Sequence, residues 1–223
     1  MIVLGWLGIL PARWRRLPPR PLVASKFDRI MELVEGREVL DCGCVGGEIH
    51  SDAQYEQTTH AALARRAKYC LGIDIWKEEV EKRRALGLDI VHGNVETMNL
   101  GRTFDVIVAA DVIEHLANPG LFLDRAHEHL RDGGRLCLVT PNAFSLNNAV
   151  KYALGREPGV HPEHTTWYDF VTLRQLLARH GFEPLEEYWQ DYARGAMTQL
   201  ALALRPNLAA HLLVIARKTG DAS

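Results

Sequence analysis

Two carboxylates and a pair of histidines are the side chains in this sequence whose spacing best suits chemistry. Asp41 closes the apolar run Val39-Leu40-Asp41 and the chain then enters Cys42-Gly43-Cys44-Val45-Gly46-Gly47, while a second run closes in Gly72-Ile73-Asp74. A strand that ends on an acid and drops into a glycine-rich loop reads as the opening of a nucleoside-binding α/β sheet, with the acid of the next strand able to accept hydrogen bonds from both ribose hydroxyls. The G-x-G-x-x-G spacing that lets a backbone approach a pyrophosphate is absent, and Asp41 points negative charge at the same place, so a cationic ligand is favoured over an anionic one. Ile75 and Trp76 follow and offer an apolar wall for the base, with core packing as the alternative for Trp76. Further on, His161-Pro162-Glu163-His164 supplies two imidazoles. Histidine titrates near neutrality, so either could take a proton from a hydroxyl or ammonium acceptor; fixing the loop and ligating a metal are the alternatives.

The elements that must position these groups alternate. Ser25 caps a helix through Val34 in which Phe27, Ile30, Met31 and Val34 recur at helical spacing. Strands are expected at Glu38–Cys42, Tyr69–Asp74, Asp89–His92, Phe104–Ala110 and Arg135–Thr140, with helices at Thr59–Lys68, Lys77–Leu86 and Leu121–Arg131 between them. Such regular alternation with apolar strands predicts a mostly parallel sheet with helices on both faces. A helical segment over Phe144–Leu154, a helix over Tyr168–His180 ending at Gly181, a strand over Phe182–Gln190 and the apolar run His211–Lys218 complete the chain. The interval from Asp41 to Asp74 exceeds the roughly 20 residues usual in a nucleotide-binding unit, and the surplus near 48–57 is expected to be a polar loop.

Composition narrows the class. With 223 residues, 47% hydrophobic and 24% charged, the chain suits one well-packed domain at 25–223 behind an N-terminal extension at 1–24. The net charge of −2 gives no global argument for a nucleic-acid partner. Cys42, Cys44, Cys70 and Cys137 read as reduced core residues, which favours the cytoplasm, and Cys42-x-Cys44 lacks the spacing and second pair of a zinc site. The apolar Met1–Leu10 is followed by Arg13, Trp14, Arg15 and Arg16, the reverse of a signal peptide's order, and is too short to cross a bilayer. It is expected to pack on the domain or close over the ligand, with a membrane-surface contact through Trp6 and Trp14 as the alternative.

From about Glu38 to Lys218 the sequence resembles the class I S-adenosylmethionine-dependent methyltransferases. Their first motif, D-x-G-x-G-x-G, falls on Asp41, Gly43 and Gly47, with Val45 in place of the middle glycine, so the loop is expected to follow a locally different path. Gly72-Ile73-Asp74-Ile75 is similar to the second motif, and Gly93-Asn94-Val95-Glu96 stands where the family commonly has Gly-Asp-Ala. The string from Phe104 to Leu116, ending Asp111-Val112-Ile113-Glu114-His115-Leu116, resembles the fourth motif of small-molecule methyltransferases of the ubiquinone-biosynthesis type.

The resemblance implies a Rossmann-like, seven-stranded, mostly parallel sheet with one antiparallel strand, formed by the final run inserted beside the sixth. It implies S-adenosyl-L-methionine as cofactor, held by Asp41, Cys42, Gly43, Cys44, Gly47, Asp74, Ile75, Asn94, Val95 and Asp111. Asp41 and Asp111 would lie toward the methionine end and Asn94 toward the adenine. His164, His161 and His115 are the catalytic candidates, and no metal is assigned. The expected reaction is methyl transfer to an O, N or C nucleophile of a small-molecule or envelope or secondary-metabolite precursor, rather than to nucleic acid. Two rivals stand beside it. A binding module without turnover is motivated by Val45 and Asn94, and a metal-assisted RNA-ribose methyltransferase by an Asp111/Glu114/His115 triad.

Overall fold

The computed structural model describes residues 19–23, 25–46, 54, 58–191 and 195–220. Its strands are β1 (Leu22–Val23), β2 (Glu38–Cys42), β3 (Tyr69–Asp74), β4 (Ile90–His92), β5 (Phe104–Ala110), β6 (Leu130–Pro141), β7 (Phe182–Gln190) and β8 (His211–Lys218). The α-helices among the described residues are α1 (Lys26–Val34), α2 (Thr59–Arg66), α3 (Lys77–Ala85), α4 (Pro119–His129), α5 (Leu146–Ala153), α6 (Phe170–Arg179) and α7 (Ala196–Leu204). The strands form one sheet in the order β1-β7-β8-β6-β5-β2-β3-β4. All pairs are parallel except those of β8, which runs antiparallel to both β6 and β7.

The expected α/β sheet with a reversed final strand is therefore present, with eight strands rather than seven. The additional edge strand comes from the segment assigned to the N-terminal extension: Leu22 and Val23 pair with Trp189 and Gln190, and the Arg20 guanidinium lies 4.3 Å over the Phe170 ring while donating to Glu187 at 2.6 Å. The remainder of that extension, through 18, lies outside the described residues. No helix among the described residues is long and apolar enough to cross a membrane.

Strand alternation sorts the core into two layers. Val106 and Val108 of β5 face α1, packing with Ile30, Val34, Val139 and Ile215, while Ile107 and Ala109 face Phe122, Leu123, Leu173 and Leu177 of α4 and α6. Helix α1 starts because the Ser25 hydroxyl accepts the Phe27 N–H at 3.1 Å, and Asp169 opens α6 with a reciprocal capping box to Thr172. The carboxyl ends of β2, β3 and β5 meet where the strand order reverses, between β2 and β5, which is where open α/β sheets leave a crevice.

Candidate functional site

A cavity of about 1420 Å³ fills that crevice, and its walls include Asp41, Asp74, Asp111, Asn94 and, at the far side, His115, His161 and His164. Its floor is set by close approach of backbone. Gly43 adopts φ 71° and a Cβ there would lie 2.5 Å from Val112 Cγ2, so only glycine lets the β2 loop pass. Gly72, paired in register with Asp41, likewise leaves room for Cys44 Sγ and the His60 ring, which a Cβ would meet at 2.7 and 2.9 Å.

Asp74 organises the loop as well as lining the cavity. Its Oδ2 accepts the Val45 N–H at 2.9 Å and its Oδ1 the Trp76 N–H at 2.9 Å. Val45 is thus held by its backbone; among the described residues the left-handed non-glycine is Asp111, not Val45, and the turn is taken by Gly43 and Gly46. The Val45 side chain packs with Cys44, Val80 and Ile90. The departure from the glycine motif is absorbed as core packing, which removes one motive for the module without turnover.

Asp41 is buried, and its Oδ2 lies 2.9 Å from Nδ1 of His60, itself buried on α2. Burial raises the Asp41 carboxyl above its usual range, opposed by the His60 contact. Arg83, buried on α3, donates to the Cys44 carbonyl at 3.1 Å from beneath the same loop. The Asn94 side-chain oxygen accepts the Glu96 N–H at 2.8 Å, an Asx turn that shapes the next wall segment.

Asp111, at φ 58°, stands at the end of β5 and forms an ion pair with the Lys26 ammonium from the first turn of α1. His211 Nε2 lies 3.9 Å from its other oxygen. A left-handed residue costs free energy that the surroundings must offset, and here a buried cation fixes the side chain. Glu114 turns the other way. Its Oε2 accepts the Thr140 hydroxyl at 2.9 Å, its Oε1 is buried without a partner among the described residues, and burial pushes its carboxyl up to about 7.

His115 ends a 3₁₀ turn, Ile113–His115, and its ring centroid lies 4.5 Å from that of His164 and 5.6 Å from that of His161, which are 5.5 Å from each other. Thr165 laces the two segments together: its N–H donates to the Glu114 carbonyl at 2.8 Å and its hydroxyl to the Leu116 carbonyl at 2.8 Å. Burial, and then the neighbouring His115 and His161, hold the His164 imidazole below its ordinary value.

The structure thus brings together Asp41, Gly43, Cys44, Asp74, Ile75, Asn94, Val95 and Asp111 with the three histidines on one cavity. Cys42 is the exception. Alternation along β2 turns its side chain into the core with Leu71 and Ile107, away from the cavity. Gly47 lies outside the described residues, and of the segment 48–57 expected as a loop only Gln54 is described, a helical residue on the cavity wall. The Asp111/Glu114/His115 triad is not assembled, because Asp111 is engaged by Lys26 and Glu114 by Thr140. Sequence reading missed Lys26, His60 and Thr165. Lys26 had a signal, since Lys26, Ile30 and Val34 share one helical stripe; His60 and Thr165 act on partners distant in sequence and had none.

A methyltransferase domain family matches residues 13–187. A Mycolicibacterium smegmatis protein described as "Probable S-adenosylmethionine-dependent methyltransferase" is 32% identical over 160 residues, covering 70% of this chain and 56% of that protein. A ubiquinone biosynthesis O-methyltransferase of Nitrobacter winogradskyi is 32% identical over 176 residues, covering 72% of this chain and 62% of the relative. The chain therefore spans less than two thirds of the length of either. Among solved structures, an S-adenosylmethionine-dependent methyltransferase from Archaeoglobus fulgidus shares the fold with a TM-score of 0.64 at 15% identity, over 87% of this chain and 92% of its own. With the acidic strand ends, the glycine-floored crevice and a domain match over most of its length, this chain belongs to the class I S-adenosylmethionine-dependent methyltransferase family.

Proposed function

We propose that this chain is an enzyme that transfers a methyl group from S-adenosylmethionine to a nucleophilic oxygen, nitrogen or carbon of a small molecule. The observation that carries the reading is that two acidic strand ends, Asp41 and Asp74, open on one cavity that continues to three imidazoles. The donor set fits the cofactor, because carboxylates at both strand ends suit ribose hydroxyls and positive charge and repel a pyrophosphate. When bound, S-adenosylmethionine supplies a methyl group already activated on a positively charged sulfur.

The residues of the chain then bind and align. A carboxylate has about four lone-pair sites, so Asp74 keeps acceptor capacity for ribose hydroxyls after taking the Val45 and Trp76 N–H groups. Ile75 and Trp76, both exposed on the cavity rim, offer apolar surface to the base. Asp41, buried beside His60, is the carboxylate assigned to the methionine end, with Asp111 farther along the rim. His115, His161 and His164 border the space left for the acceptor, and alignment with exclusion of water supplies much of the acceleration. The O-methyltransferase relative favours oxygen as the acceptor atom. The RNA-ribose alternative rested on a carboxylate-containing triad, and among the described residues Asp111 pairs with Lys26 and Glu114 with Thr140 instead.

The test is to incubate the full chain with S-adenosylmethionine carrying an isotopically labelled methyl group and a fractionated extract. Label in low-molecular-weight organic fractions supports the reading. Label confined to RNA, or none despite cofactor binding, contradicts it.

A further inference from the structure

We infer that His115, His161 and His164 form a site for one divalent transition-metal ion at the mouth of the cavity. Each ring offers one nitrogen, and the three nitrogens lie within 4.8 Å of one another. A tetrahedral zinc ion with bonds of about 2.0–2.1 Å needs its nitrogen ligands about 3.3–3.4 Å apart, so the rings have to draw together by roughly 1.4 Å at most. Side-chain rotation of a half-buried and an exposed residue on a turn supplies that movement.

The scaffold under the rings is already set. His164 N–H donates to the His161 carbonyl at 3.0 Å, closing a turn that puts both side chains on one side. Thr165, by its N–H and hydroxyl, ties this turn to the 3₁₀ segment that carries His115. The contact held by the His161 ring, the Glu163 N–H to Nδ1, is long at 3.4 Å and is readily exchanged for a metal bond. The Glu163 carboxylate, 3.9 Å from His115 Nδ1, adds negative charge beside the site.

Ligand chemistry sets the kind of ion. Three imidazoles with no carboxylate among them suit zinc, copper, nickel or iron and disfavour magnesium and calcium, which take oxygen ligands. This is a different site from the carboxylate triad of the sequence reading, whose Glu114 is turned to Thr140. Three protein ligands leave at least one open coordination position, the arrangement of catalytic rather than structural zinc. All three residues line the cavity, so the open position faces it. Resting on the methyl-transfer reading, that position takes the oxygen of a hydroxyl acceptor and lowers its pKa, the released proton passing to water.

The experiment uses the full chain stripped of metal, with any affinity tag removed, and titrates it with Zn²⁺ and Co²⁺ alone. One equivalent of Zn²⁺ should bind per chain, Co²⁺ should give a visible ligand-field absorption of low coordination number, and His161→Ala and His164→Ala should each weaken binding at least tenfold. His161 is exposed, so its variant keeps the fold, as an unchanged melting temperature without metal would record. Glu114→Gln should leave Zn²⁺ affinity within twofold. Absence of stoichiometric binding, binding indifferent to both histidine variants, or a tenfold loss in Glu114→Gln would overturn the site. S-adenosylhomocysteine affinity measured on the same samples separates the two claims: retained cofactor binding without zinc binding defeats the metal site alone, and zinc binding without cofactor binding defeats the methyl-transfer reading alone.

Discussion

The acidic rim and the histidine face of the cavity are built by different means. Asp41 and Asp74 sit on adjacent parallel strands whose register is fixed by β2 and β3, and each carboxylate is held by a buried or backbone partner: His60 for Asp41, and the Val45 and Trp76 N–H groups for Asp74. The three imidazoles instead sit on a 3₁₀ turn and a surface loop, joined by Thr165. On the proposed function, a ligand common to a whole family would be gripped by strand ends, which the sheet positions rigidly. An acceptor that differs between members is met by loops, which can change without disturbing the core.

Four substitutions or titrations break or sharpen this contrast. The largest effect is expected from Asp74→Ala, which removes both ribose acceptors and leaves two backbone N–H groups without their partner. Cofactor affinity should fall by about 2–3 kcal/mol, or roughly 30- to 150-fold, by calorimetry. An unchanged dissociation constant would remove the ribose assignment. Gly43→Ala comes next, since it places a Cβ at φ 71° against Val112. We expect about 2 kcal/mol of lost stability in urea denaturation, with a parallel loss of cofactor binding.

Thr165→Val addresses the other side. Losing its hydroxyl's bonds to the Glu114 and Leu116 carbonyls should cost about 1 kcal/mol of stability and lower turnover several-fold while cofactor affinity stays within twofold. Equal losses in turnover and affinity would mean that the two faces are not separable. The smallest signal is protonic. Burial raises the Asp41 carboxyl, so its ionised form is disfavoured in the folded chain, and stability from the protonated form is present below the unfolded value of about 3.9 and is lost as pH rises through the folded value. A cationic ligand favours the ionised form, so binding should release a fraction of a proton over the pH range in which the folded carboxyl titrates, seen as a dependence of the calorimetric enthalpy on the buffer. Asp41→Asn should abolish it.

Much of the acidic rim was legible because strand ends have local signatures. Tyr69–Asp74 falls where its apolar run puts it, and Ser25 caps α1 as its residue type demands. Other elements carried no such signal. Helix α7, Ala196–Leu204, is apolar around most of its circumference and buries only Leu202, so periodicity could not mark its face. β1 has two residues, too few for an alternating pattern, and exists because β7 offers it an edge. β6 begins at Leu130, five residues before the expected start at Arg135, through Asp132-Gly133-Gly134, where a Cβ on Gly134 would meet the Arg131 carbonyl at 2.8 Å. The same limit applies in the site. Asp41 could be singled out from its neighbours, whereas its partner His60 lies on a separate helix 19 residues further on, and only the fold brings them together.

Calorimetric titration of S-adenosylhomocysteine into the wild-type chain and the Asp74→Asn variant puts the gripping of a nucleoside by acidic strand ends to its most direct test. One site per chain with micromolar affinity is expected, weakened at least tenfold in the variant. No heat of binding at millimolar ligand, or equal affinities for the two proteins, would contradict it.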